Sequence, residues 1–343
     1  MAINNGRAVT MKDVAKHVGV SQATVSYVLN DAAGENIPKE TQARVWAGIR
    51  ELGYRPHIGA RQMRTQRTNL LGFVTDVIAT TPYAGAIIKG AQDTARAAGK
   101  MLLLVSTDGI PAEDHAAIET LLEHRVKGII YATMYHRAVA LPVNLRETKA
   151  VLLDCFVEDR SIPSVTPDEF NGGYMATEIL LRKGHRRIGF INNDQPVPAS
   201  VGRLEGYRRA LAAHGIAFDP ALVCIAQSSP AGGYDCTYDL MRLPDRPTAL
   251  FCFNDRMAMG AYDALRTLNL NIPEEVAVIG FDNQEIIAAS LHPGLSTMQL
   301  PHYEMGVWSV KYLLGEIADA DEHQGGSPLQ KVLSCPYVER ASV

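Results

Sequence analysis

VTMKDVAKHVGVSQATVSYVLN, residues 9–30, places two short amphipathic segments on either side of a glycine. In the first, Val14, Ala15 and Val18 share a helical face, with Thr10 at the N-cap position and Asp13 three residues on. Gly19 can adopt the positive φ that a tight turn between helices requires. Ser21 is then positioned to cap a second helix, in which Val25, Val28 and Leu29 form the buried i, i+3, i+4 set. The opposite face of that helix carries Gln22, Ala23, Ser26 and Tyr27, with Asn30 behind them. Two helices joined by a three- to four-residue turn, the second with a small, polar outer face, describe a helix-turn-helix; the other reading is a compact αα-hairpin.

The neighbouring sequence favours the first reading. Ile37-Pro38 opens a third helix with an apolar stripe of Val45, Ile49 and Leu52, and Gly53 stands at its end. Three helices in about fifty residues make a small bundle with little core. Tyr54-Arg55-Pro56 stops the last helix, and the basic segment HIGARQMRTQRT (57–68) follows, with Met63 as its large apolar residue. Such a segment is either a plain linker or a hinge that folds on DNA and pushes an apolar side chain into the minor groove. Charge supports a polyanionic partner for this end. Residues 1–68 hold ten Lys and Arg against five acids, leaving 23 against 32 in the rest of a chain whose net charge is −4.

From Asn69 onward, β-rich runs alternate with helix-period segments. The runs are 70–74, 101–105, 128–131, 151–153, 187–191, 222–225, 249–253 and 276–280, with helical patterns at 84–98, 112–124, 174–183, 203–214 and 258–268. This alternation predicts parallel sheets with helices on both faces. About 275 residues exceed one comfortable sheet, so two similar lobes are expected, with crossings near 163–171 and 296–301. In open α/β sheets, ligands sit beyond the carboxyl ends of strands. Polar residues recur there: Asp76 and Tyr83, Thr107 and Asp108, Thr133, Asp154, Asn192 to Asp194, Asn254 and Asp255, Asp282 and Asn283. Each alone fits a loop cap; together they are expected to face one cleft.

The 9–30 stretch, the Tyr54-Arg55-Pro56 stop and the basic hinge resemble the headpiece of the lac repressor family of bacterial transcription regulators (LacI/GalR), across about sixty contiguous residues. The resemblance continues through NGGYMATEILLRKGHRRIGFI (171–191), VGRLEGYRRAL (201–211), FNDRMAMGAYDAL (253–265), VIGFDN (278–283) and STMQLPHYEMG (296–306). It implies an all-α helix-turn-helix headpiece joined to an α/β effector domain of two doubly wound parallel-sheet lobes, with the fold of type I periplasmic sugar-binding proteins. The implied domains are a head (1–56), a hinge (57–68) and an effector-binding and dimerisation domain (69–343). Lobe 1 would take about 69–166 and 299–323, and lobe 2 about 167–298 and 330–343.

By the same resemblance, Gln22, Ala23 and Tyr27 fall at the family's major-groove positions, and Thr24 and Ser26 where hydroxyls meet phosphates. Thr10, Ser21 and Asn30 complete the implied DNA-facing set. Met63 stands at the place of a wedging leucine, Ala60 at that of the hinge alanine, and Gly59 replaces a bulkier aliphatic residue. In the body, Asp154, Arg203, Asn254 and Asp282 match polar ligand contacts. Arg donates and Asp accepts, while each hydroxyl of a polyol does both. Arg203 is accordingly expected to serve the ligand and not stability. Ser228 stands where several relatives place an aromatic, so Tyr83 or His302 is expected to supply stacking. The implied partners are double-stranded operator DNA and a small effector, most simply a sugar. The chain closes soon after Val338-Glu339-Arg340 without an appended leucine-rich helix, which implies a homodimer.

Two other function classes share parts of this pattern. A periplasmic-type sugar-binding protein would share the body, but the N-terminus shows no apolar signal segment and the head is basic. No run of eighteen apolar residues occurs, so neither secretion nor a membrane span is expected, and the cytoplasm is the implied location. An enzyme would need a chemical motif; P-loop, GxGxxG, GxSxG and metal-ligand spacings are missing, so no catalytic residue, cofactor or metal is expected. A purine-responsive, corepressor-dependent regulator remains open beside a sugar-responsive one. The five cysteines lack CxxC spacing and mostly sit in apolar runs, which predicts buried, reduced thiols.

Overall fold

The structure, a computed structural model, describes residues 9–30, 37–54, 68–81, 84–317 and 328–343. The chain divides into two compact units, Met1–Thr68 and Asn69–Val343.

In the first unit, α1 (Met11–Val18) begins at a capping box: Asp13 N donates to Thr10 Oγ1 at 3.4 Å, and Thr10 N donates to Asp13 Oδ2 at 2.8 Å. Gly19 ends α1 at φ 73°, in the left-handed region. Ser21 Oγ accepts from Thr24 N at 3.0 Å and so caps α2 (Gln22–Asn30). α3 (Lys39–Leu52) closes the bundle over Val14, Val18, Val25, Val28, Val45 and Ile49. Arg44 Nη2 donates to the Val18 carbonyl at 2.7 Å, satisfying an acceptor at the end of α1.

The second unit contains two sheets built alike. The first lobe holds β1 (Leu70–Thr75), α4 (Gly85–Ala97), β2 (Met101–Ser106), α5 (Pro111–Glu123), β3 (Ile129–Ala138), β4 (Ala150–Phe156) and β5 (Ser164–Pro167). The chain then crosses into α6 (Glu169–Arg182), β6 (Ile188–Asn193), α7 (Pro198–Ala213), β7 (Val223–Ala226), α8 (Pro230–Met241), β8 (Ala249–Cys252), α9 (Asp255–Thr267), β9 (Ala277–Asp282), the single turn α10 (Glu285–Ala288) and β10 (Ser296–Gln299). It returns through α11 (His302–Leu314), whose Met305, Val310 and Leu313 join the first lobe's core, and ends in β11 (Gln330–Leu333) and β12 (Tyr337–Val338).

Sheet order is β11-β5-β4-β3-β1-β2 in lobe 1 and β12-β10-β9-β8-β6-β7 in lobe 2. Ignoring the late strands, each lobe repeats the order second-first-third-fourth-fifth, a doubly wound arrangement whose order reverses beside the first strand. All pairings are parallel except β10 with β12. The central strands are buried on both faces, as helix-covered parallel sheets require, and this explains their continuous apolar runs.

Two differences from the sequence expectations concern the crossings. The stretches near 163–171 and 296–301 include strands β5 and β10, each four residues long, too short for a periodic signal. β11 pairs with β5 in the first lobe's sheet, whereas the family resemblance implies lobe 2 for the whole of 330–343. Its Gln-Lys-Val-Leu sequence carries no apolar run, and only the partner strand gives it a place.

Candidate functional site

Two surfaces hold the predicted residues. On α2 of the first unit, Ser21, Gln22 and Ala23 are exposed and Tyr27 is 36% exposed, while Thr24 and Ser26 are half-buried. The apolar set Val25 and Val28 faces the core, so the polar face is left outward by helical period alone. Thr10 and Ser21 are both engaged as caps, and Asn30 is the last residue of α2. Ala60, Met63 and Gly59 lie outside the described residues, as does Tyr83.

The other surface is a cavity of about 480 Å³ between the lobes of the body. Tyr135 and His136 on β3 and Asp154 on β4 line it from lobe 1; Asn193, Arg203, Ser228, Asn254 and Asp282 line it from lobe 2. Glu169, at the start of α6, and His302, at the start of α11, stand where the chain crosses. Predicted residues from six separate segments, Asp154, Arg203, Ser228, Asn254, Asp282 and His302, therefore share one space.

Arg203 is its centre. The side chain is 2% exposed, and its Nε donates to Glu169 Oε2 at 2.7 Å and its Nη1 to the Phe253 carbonyl at 2.6 Å. Asp282 Oδ1 stands 3.8 Å from Nη1. The guanidinium stacks 3.6 Å from the Phe281 ring centroid and 4.6 Å from that of Phe253. Burial works against the charge, but the Glu169 and Asp282 carboxylates hold the group firmly protonated. Its backbone is placed by close helix packing: a Cβ on Gly173 of α6 would stand 2.6 Å from Arg203 Cα, so only glycine lets α6 and α7 approach this far. These bonds correct the expectation that Arg203 serves the ligand without serving stability. It is the counterion of a buried glutamate.

The carboxylates are held under strain. Asp154 has φ 57° and Asp282 φ 106°, positions that side-chain-bearing residues rarely adopt; Asp154 sits in β4 where its register with β3 shifts, and Asp282 ends β9. Asp154 is 4% exposed, and its Oδ1 has no hydrogen-bond partner among the described residues. Burial, reinforced by the Glu169 charge, pushes its carboxyl well above the ordinary range. Asp282 is pushed up to about 6 by burial, against the pull of Arg203. Its Oδ2 accepts from Gln284 Nε2 at 2.9 Å. His136 is held neutral by burial, and its Nδ1 also lacks a partner among the described residues. Asn254 caps α9 through Oδ1 while its Nδ2 donates to Ser228 Oγ at 2.7 Å.

Other polar strand ends do not reach the cavity, which corrects the expectation that all would face one cleft. Asp76 accepts from Met134 N and Arg137, Thr107 donates to Asp114 at 2.5 Å, and Asp255 binds Thr297 and Gln284 N beneath β9. Burying an acid stabilises a fold only when it is satisfied this way. Glu169, Tyr135, His136 and Arg256 were not singled out from sequence. Glu169 looks like an ordinary first-turn acid, and the other three follow strand or cap residues with no motif. The thiol expectation is corrected in part. Cys224 of β7 and Cys236 of α8 form a disulfide with Cα atoms 5.5 Å apart, while Cys155, Cys252 and Cys335 are free and buried.

Comparison with known proteins agrees with this geometry. Residues 10–57 match the model of bacterial regulatory proteins of the lacI family, and residues 68–339 match that of periplasmic binding proteins and the sugar-binding domain of the LacI family. The transcriptional regulator RegA of Clostridium saccharobutylicum is 34% identical, over 90% of this chain and 92% of its own. The ribose operon repressor of Escherichia coli is 31% identical, over 94% of this chain and 98% of its own. The lac repressor dimer bound to operator and the anti-inducer ONPF is 26% identical with TM-score 0.80, covering 98% of this chain and 99% of that one. Among the described residues, no helix is long and apolar enough to cross a membrane. A lacI-type head, a two-lobed ligand domain and full-length kinship with such regulators lead to one assignment: the chain belongs to the lacI family of DNA-binding transcriptional regulators.

Proposed function

We propose that this protein is a cytoplasmic, homodimeric repressor without enzymatic activity, whose hold on a near-palindromic operator is set by a small sugar in the inter-lobe cleft. Gln22, Ala23 and Tyr27 read base edges in the major groove, and Thr10, Ser21, Thr24, Ser26 and Asn30 position the head on the backbone. Ala60 and Met63 fold as a hinge against the minor groove, Met63 wedging a base step. Asp154, Arg203, Ser228, Asn254, Asp282 and His302 contact the effector, with Tyr83 beside them.

The observation that carries this reading is a cavity walled by both lobes and lined with carboxylates, amides and a hydroxyl. A ligand bridging the walls favours one inter-lobe angle over another. It shifts operator affinity only by its differential affinity for the two states, typically about 1–3 kcal/mol. The test combines a thermal-shift screen of ribose, glucose, cellobiose and purine bases with gel shifts on the operator. A hit that moves both the melting temperature and operator affinity supports the reading; a purine hit without a sugar hit replaces the ligand class. Residues 69–343 alone are expected to keep the ligand response and lose operator binding, and specific DNA binding by that fragment would overturn the division of labour.

A further inference from the structure

The cleft carries more acid than base. Asp154, Glu169, Asp194 and Asp282 line it, against Arg203 and Arg256. Arg203 is already engaged: Glu169 Oε2 is 2.7 Å from its Nε, both side chains are at least nine-tenths buried, and Asp282 stands 3.8 Å from Nη1. Arg256 is half-buried, and its charge eases the ionisation of Asp282. Asp154, 4% exposed with Oδ1 unpartnered among the described residues, is kept largely protonated by burial and adds little charge. An entering phosphate or carboxylate would meet the Glu169 and Asp282 carboxylates at low dielectric and could reach Arg203 only by competing with Glu169. Hydroxyl groups meet no such barrier, because they donate to carboxylates and accept from the Nη2 hydrogens.

We infer that Glu169 sets the ligand class: by engaging Arg203 it makes the cleft a site for uncharged polyhydroxylated effectors and closes it to sugar phosphates, sugar acids and other anions. This rests on the sugar-cleft reading above and narrows it. Glu169 acts through Arg203, as a positioning and specificity residue. A neutral glutamine at 169 would leave the guanidinium with Asp282, 3.8 Å from Nη1, as its one remaining carboxylate partner among the described residues, and the site would then accept an anion.

The experiment uses the full-length protein and its Glu169→Gln and Asp154→Asn variants. Each is titrated calorimetrically with inorganic phosphate and glucose 6-phosphate, and in parallel with glucose, ribose and cellobiose. The basic head is common to all three proteins, so anion binding there cancels between them. Glu169→Gln is expected to strengthen glucose 6-phosphate binding by about tenfold or more over wild type, the effect of removing one unit charge close to the ligand. Asp154→Asn, which replaces a carboxyl that burial already keeps largely protonated and leaves Glu169 on Arg203, is expected to change anion affinity by less than about twofold. Wild type binding glucose 6-phosphate as tightly as glucose would overturn the inference, as would unchanged anion affinity in Glu169→Gln. If Glu169→Gln does not fold, the wild-type comparison of glucose 6-phosphate with glucose decides alone, and equal affinity there has the same consequence. The neutral sugars report separately. If none of them binds while the anion pattern holds, charge selection stands and the sugar reading falls.

Discussion

The outer face of α2 and the lining of the cleft are both recognition surfaces, yet they are built in opposite ways. On α2 the side chains stand outward from one contiguous stretch and owe their placement to two caps and a helical period. In the cleft, residues from separate strands hold one another: Glu169, Arg203, Asp282, Asn254 and Ser228 are all bonded or paired before any ligand arrives. Function and stability are therefore separable in the head and entangled in the cleft. A cleft in which Arg203, Glu169, Asp282, Asn254 and Ser228 already hold one another is preorganised, and it loses little on binding but much on mutation.

The largest test of that contrast is Arg203→Ala. It strands Glu169 and Asp282 as buried carboxylates, so the body is expected to lose about 3–5 kcal/mol of stability. Denaturant unfolding of the 69–343 unit measures this, and an unchanged midpoint would show that the cleft is no more entangled than α2. Next comes Gln22→Ala, exposed and without a tertiary role. Operator affinity is expected to fall by about 1–3 kcal/mol while unfolding moves by less than about 0.5 kcal/mol. A matched loss of stability would erase the distinction from the other side.

Asp282→Asn sharpens it through pH. The folded carboxyl titrates up to about 6, above the ordinary value of 3.8. A raised acid contributes stability that is complete below the unfolded pKa and is lost as pH rises through the folded one. Wild type should thus outlast Asp282→Asn by more at pH 4 than at pH 7, the gap closing by roughly 2 kcal/mol across that window. Calorimetric scans at several pH values would show it, and a gap independent of pH would mean that burial does not raise the Asp282 carboxyl at all. The smallest expected effect is Gly59→Ala in the hinge. Operator binding should tighten by up to about 1 kcal/mol, if folding that segment is part of the cost of binding. Filter binding at two salt concentrations checks it, since only the specific component should change.

How much of this was legible beforehand follows from the distance over which each feature is made. Thr10 with Asp13, Gly19 with Ala15, and Ser21 with Thr24 are contacts between residues at most four apart, so spacing alone encodes them. The apolar runs of the central strands were equally plain, because burial on both faces demands them. From those local signals the sequence determined a helix-turn-helix head, an alternating α/β body in two lobes, and the stretches whose ends carry ligand-type side chains. Tertiary structure alone decided which of those ends meet. Asp76, Thr107 and Asp255 look like Asp154 and Asp282 in sequence, but only the latter two project into the cavity. It likewise placed β11 in the first sheet and joined Cys224 to Cys236. It also brought Glu169 onto Arg203, thirty-four residues away. The reason is physical: a hydrogen bond within one helical turn is written in the order of the residues, whereas the partner of a buried charge is set by which strands and helices the topology lays side by side.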